Sequence, residues 1–171
     1  MRGMSRARGM AFGLVMVVLL ALSGCTAKTT LYVVDGPLAA QKPAPVYPGT
    51  MTVHASLHAA TVSIVMDGGE KFRGNLELSR APQVGTRAGD GGSRFASMED
   101  AWDQIYGKGY YVAHVLGDGQ FGHLQMTGSN GTVVEFELHS AVSGTGDQTV
   151  MSQPLGVAKD SKGNLYKVVV G

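Results

Sequence analysis

Apolar residues fall at every second position in Val62, Ile64 and Met66, with Thr61 and Ser63 interleaved. After Asp67-Gly68-Gly69 the alternation resumes: Phe72, Gly74, Leu76 and Leu78 on one side, Lys71, Arg73, Asn75 and Glu77 on the other. A period of two with a tight turn between the runs specifies a β-hairpin with one dry face and one wet face. Such a hairpin must bury its apolar face against other elements.

The same pattern recurs downstream. Val134, Phe136 and Leu138 alternate with Glu135, Glu137 and His139 behind Ser129-Asn130-Gly131, where Asn-Gly favours a type I′ turn. Leu155–Lys159 and Asn164–Val170 flank Asp160-Ser161-Lys162-Gly163, and Tyr110–Leu116 and Gln120–Met126 flank Gly117-Asp118-Gly119. One segment reads as helix. Ser97 can cap it, Glu99 and Asp100 suit its first turn, Ala101, Trp102 and Ile105 form an apolar side, and Gly107 ends it. At under three turns it must dock on the sheet through Trp102 and Ile105. The expected fold is mainly β: a small antiparallel sandwich or partly closed barrel of about seven or eight strands. One short helix at about residues 98–106 lies against it.

The chain has 171 residues and one cysteine, Cys25. Arg2, Arg6 and Arg8 precede an uncharged apolar stretch from Met10 to Leu22, and small residues follow. Thirteen residues are too few for a bilayer span of roughly 20, and suit the apolar region of a secretory leader. Residues 1–24 therefore read as a cleavable secretory leader. The remaining 147 residues carry 11 basic and 13 acidic side chains. That balance offers nucleic acid no electrostatic footprint and a membrane no basic patch. Residues 25–48, with Pro37, Pro43, Pro45 and Pro48, read as an extended tether reaching at most about 75–80 Å. Within it, Leu31–Val34 has the β-formers of a strand. Residues 49–171 form the single β-rich domain.

Candidate chemistry is sparse. His54 and His58 have a spacing that would pair them on a helix, but β-formers surround them, and on a strand they stand roughly 13 Å apart. They are the candidate metal pair, and the sequence assigns neither metal nor cofactor. His114, His123 and His139 fall on three successive expected strands. Arg80, Arg87 and Arg94 border or occupy a glycine-rich loop able to engage phosphates or carboxylates. Tyr106, Tyr110 and Tyr111 cluster with Trp102, as packing of a helix on a sheet requires. No Gly-x-Ser-x-Gly elbow appears, and no catalytic residue is assigned.

The run Leu22-Ser23-Gly24-Cys25 resembles the lipobox of bacterial lipoproteins. The resemblance implies diacylglyceryl on the Cys25 thiol, cleavage between Gly24 and Cys25, and acylation of the new amine. Thr26 in the next position, rather than Asp, implies the outer membrane. Gly128-Ser129-Asn130-Gly131-Thr132-Val133 and the segment Gly156 to Tyr166 are similar to small glycine-rich lipoproteins of Gram-negative bacteria. Lysozyme-inhibitor lipoproteins are a neighbouring resemblance, although this chain lacks the cysteines for the disulfides common among them. The expected function is a non-enzymatic binding or accessory module. It is held by lipid at the periplasmic face of the outer membrane, where its partner would be an envelope protein, peptidoglycan or lipopolysaccharide. The alternative is an enzyme acting on the envelope, with His114, His123 and Glu135 around one pocket.

Overall fold

The computed structural model describes residues 25–54, 59–80, 98–117, 119–143 and 150–171. The strands are β1 Cys25–Asp35, β2 Val46–Val53, β3 Ala59–Val65, β4 Lys71–Arg80, β5 Gly119–Thr127, β6 Val133–Ser143, β7 Val150–Met151, β8 Leu155–Asp160 and β9 Leu165–Val170. Every neighbouring pair is antiparallel, and the order β5-β4-β3-β2-β1-β9-β8-β6 closes by β5 pairing β6. Eight strands thus form a closed barrel, with the two-residue β7 added to the end of β6. The expected class holds, and closure is complete.

The alternating positions point where the sequence requires. Leu31, Met51, Val62, Ile64, Phe72, Leu76, Leu124, Met126, Val134, Phe136, Leu138, Ala158 and Val168 are buried in one interior cluster. Lys71, Arg73, Glu77, Thr50 and Thr61 sit on the opposite face of the same strands. Apolar inside and polar outside is the reverse of a lipid-facing barrel wall. Eight strands leave an interior just wide enough to be filled by side chains, so large residues need small ones opposite. A Cβ on Gly122 would lie 2.8–2.9 Å from three Leu76 carbons, and one on Gly74 would lie 2.8 Å from Leu124 and 2.9 Å from Met126.

The N-terminal segment corrects one expectation. Residues 25–48 are not a tether: Cys25–Asp35 is a full barrel strand laddered to β2 from Cys25↔Val53 to Tyr32↔Val46 and to β9 from Thr29↔Val170. The reason is alternation longer than the Leu31–Val34 stretch. Thr29 and Leu31 are buried and Ala27 and Val33 half-buried, all on the inner face. Pro37, Pro43 and Pro45 fall in the β1–β2 connection, while Pro48 lies inside β2.

A second correction concerns residues 110–116, expected as a strand. They continue the helical layer: helix α1, Glu99–Tyr106, ends at Gly107 (φ +113), and Tyr111–Val115 forms one wide turn closed by Leu116 N–H donating to the Tyr111 carbonyl. Asp103 sets this course, its carboxylate accepting from the Gly109 N–H (2.7 Å) and the Tyr111 N–H (3.0 Å). Tyr111 and Val115, one helical turn apart, are the two buried residues. The expected Ser97 cap lies outside the described residues.

The turn motifs are also resolved. Around Asn130-Gly131 the chain makes a three-residue loop rather than a type I′ turn. Gly128 N–H bonds the Thr132 carbonyl, Gly131 N–H bonds the Gly128 carbonyl, and Gly131 takes φ +87. Asp160–Asn164 repeats this arrangement with Gly163 at φ +84. In each loop the second residue is a serine that docks on the neighbouring strand: Ser129 exchanges bonds with Lys71, and Ser161 with Val133.

Candidate functional site

Strand direction gives the barrel two unlike ends. One collects Cys25, Val53, Ala59, Arg80, Gly119, Leu155 and Val170; the other collects the turns at 36–45, 66–70, 128–132 and 161–164. The turn end carries a cleft with a volume of about 140 Å³.

Two buried carboxylates frame this mouth. Glu70 accepts from the Asn130 and Thr132 N–H groups at 3.1 Å each and from Thr132 Oγ1 at 2.8 Å, with Lys162 Nζ at 3.7 Å. Burial raises its pKa, but the Thr132, Asn130 and Lys162 donors outweigh burial and leave it below the ordinary value. Asp160 accepts from the Lys162 and Asn164 N–H groups, from Asn164 Nδ2 (2.8 Å) and from Tyr166 Oη (2.6 Å). Asn164 Oδ1 in turn accepts from the Leu38 N–H at 2.9 Å, tying the short turn Pro37–Ala40 beside the opening. These acids fasten three connections to one another.

Tyr47 differs. It is 5% exposed, lines the cleft, and its hydroxyl is buried without a hydrogen-bond partner. Burial first, and then the Asp67 and Asp160 carboxylates, push its pKa upward. Its ring meets that of Tyr166 edge-on, centroids 6.1 Å apart.

A second polar cluster lies outside the barrel wall, beneath α1. Trp102 is fully buried against Phe121, Val157 and Leu165, with Met98, Tyr111 and Val115 beside it. Its indole N–H donates to Glu137 Oε2 at 2.7 Å, and His123 Nδ1 lies 3.1 Å from Glu137 Oε1. Glu137 and His139, expected on the wet face, are 0% and 5% exposed because the helical layer covers them. Burial raises the Glu137 pKa, opposed by His123 and Trp102. The cluster has the partners of a structural joint. Trp102, Tyr106 and Tyr110 stack face to face with centroids 4.9–6.2 Å apart, and His114 adds to the pile at 4.5 Å from Tyr110. The expected packing role of the tyrosines is what the rings perform.

The raised Glu137 pKa makes a pH prediction. A carboxyl raised by folding contributes stability that is present at low pH and declines as pH rises from its unfolded pKa toward its folded one. Glu70 and Asp103, both lowered, run the other way and lose their contribution as pH falls. Glu137→Gln is therefore expected to remove only the first slope. Melting temperatures of both proteins from pH 4 to 8 check it, and parallel curves would mean that Glu137 titrates normally.

No family model, curated protein or solved structure matches the chain.

The remaining sequence candidates disperse. His54 bonds Thr61 Oγ1 through Nε2 at 3.0 Å, and His58 lies outside the described residues. Among the described residues no three His, Cys, Asp or Glu side chains gather as metal ligands. His114 sits on the helical turn instead of a strand, and its charge, after burial, lowers the His139 pKa. His139 Nε2 is buried without a partner. His114, His123 and Glu135 do not line the mouth cleft. Arg80 stands at the Cys25 end, and Arg87 and Arg94 lie outside the described residues. Cys25 is exposed at the start of β1. The mouth residues Tyr47, Glu70, Asp160 and Tyr166 had a sequence signal only in the turn motifs that carry Asp67-Gly68-Gly69-Glu70 and Asp160.

Proposed function

We propose that the chain is a lipid-anchored envelope lipoprotein, a non-enzymatic binding or accessory module at the periplasmic face of the outer membrane. The observation that carries the anchor is Leu22-Ser23-Gly24-Cys25, joined to a thiol that is exposed at one end of the barrel. Lipid on Cys25 would hold that end, with Arg80, against the bilayer, because β1 begins at Cys25 itself. The mouth would then face away from the membrane, about 20 Å further out for strands of this length and tilt. Binding is favoured over catalysis because Glu70 and Asp160, the buried acids of the mouth, have their oxygens engaged in bonds to connections and neighbouring side chains. An envelope protein, peptidoglycan or lipopolysaccharide is the partner class.

Cys25→Ser is expected to abolish incorporation of labelled fatty acid and to move the protein from the membrane to the soluble fraction. Unchanged labelling and fractionation would overturn the anchor.

A further inference from the structure

We infer that the mouth of the barrel is a binding site for a small organic cation, an ammonium or amidinium group on a body of roughly eight non-hydrogen atoms. The inference deepens the binding-module reading and rests on it. Size comes first: the cleft of about 140 Å³ is close to the roughly 150 Å³ of a cavity known to admit benzene. Charge sign comes second. Asp67, Glu70 and Asp160 line it against one ammonium, Lys162. The Lys162 side chain is 64% exposed and reaches Glu70 only at 3.7 Å, so it stands at the rim.

The buried Tyr47 hydroxyl is the third and independent observation. A hydroxyl shut away from water without a partner is costly, and a ligand donor reaching it would relieve that cost. Tyr47 lines the cleft, and both Asp67 and Asp160, which act on its hydroxyl, line the same space. The Tyr47 and Tyr166 rings, edge to face at 6.1 Å, add π surface of the kind that attracts a desolvated cation. Pro37, Leu38 and Met66 supply apolar wall for the body that carries the charge. Glu70 and Asp160 are already occupied by their structural donors. Asp67, exposed on the β3–β4 turn, acts on the Tyr47 hydroxyl and faces an incoming cation together with it.

The test uses the full chain in detergent, titrated with benzamidinium chloride and with neutral, nearly isosteric benzamide. Benzamidinium is expected to shift the Tyr47, Tyr166 and Leu38 resonances with a millimolar Kd, and benzamide to bind at least about tenfold more weakly. Asp67→Asn, on an exposed turn, should keep the fold and weaken benzamidinium about fivefold or more. Tyr47→Phe should also weaken it while leaving the strands intact. Equal binding of the two probes, no shift at the mouth up to about 20 mM, or wild-type affinity in Asp67→Asn would overturn the inference. Purified protein is read here, so the result is separable from anchoring. Cation binding by a protein that takes no lipid overturns the anchor alone, and membrane retention without cation binding overturns this site alone.

Discussion

Phe136→Asp is expected to unfold the barrel. Phe136 is 0% exposed and lies at the centre of β6, opposite Leu124 on β5 and Ala158 on β8, inside the interior cluster. Losing the ring from such a site costs about 3–5 kcal/mol. The carboxylate adds the cost of burying a charge with no partner, or of holding it protonated. A domain of this size has roughly 5–15 kcal/mol in total, so the folded population should collapse. Circular dichroism would show no cooperative melt and no fixed aromatic signal. Phe136→Leu, which keeps an apolar group at the site, should still melt cooperatively. A wild-type melting temperature for the aspartate variant would mean that this face of β6 meets water.

Trp102→Ala is expected to free the helical layer from the barrel wall. The indole is fully buried and is the centre of the outer cluster. Its removal costs about 3–5 kcal/mol in packing. It also takes from Glu137, itself fully buried, the donor held at 2.7 Å. Because the interior cluster is separate, the barrel should keep its strands while residues 99–116 become open to proteolysis. Trp102→Phe isolates the hydrogen bond: it keeps a ring in the stack and should cost about 1–3 kcal/mol through Glu137 Oε2 losing its donor, while Oε1 keeps His123. In a Glu137→Gln background that penalty should shrink. If Trp102→Phe costs the same in both backgrounds, the indole–carboxylate bond contributes nothing to docking.

How much of this was legible follows from range. The hairpin β3–β4, the strand pairs β5–β6 and β8–β9, and helix α1 arise from contacts within about two dozen residues that propagate from a tight turn or a single helical period, where period and turn chemistry are directly readable. Within residues 25–35 only Leu31–Val34 reads as strand, because the pairing partners of β1 include residues of β9 more than a hundred positions away. Residues 110–116 alternate poorly, and two glycines plus the Asp103 carboxylate decide for a helical turn. Glu137 and His139 lie on the polar side of a clear alternation. A period of two separates two faces of a strand, and it is silent on whether a second layer will cover the outer one.

At the mouth, Glu70, Asp160 and Tyr166 meet Tyr47 from strands spread across the chain, and no local spacing announces that meeting. The sequence by itself determined the strand alternation, the tight turns, the amphipathic helix and the single cysteine, since each is a property of neighbours along the backbone. Tertiary structure decided that the sheet closes, that α1 buries the outer wall over Glu137, and that Cys25 and the cleft stand at opposite ends. Those depend on register and on strand direction, which only the pairing of distant segments fixes.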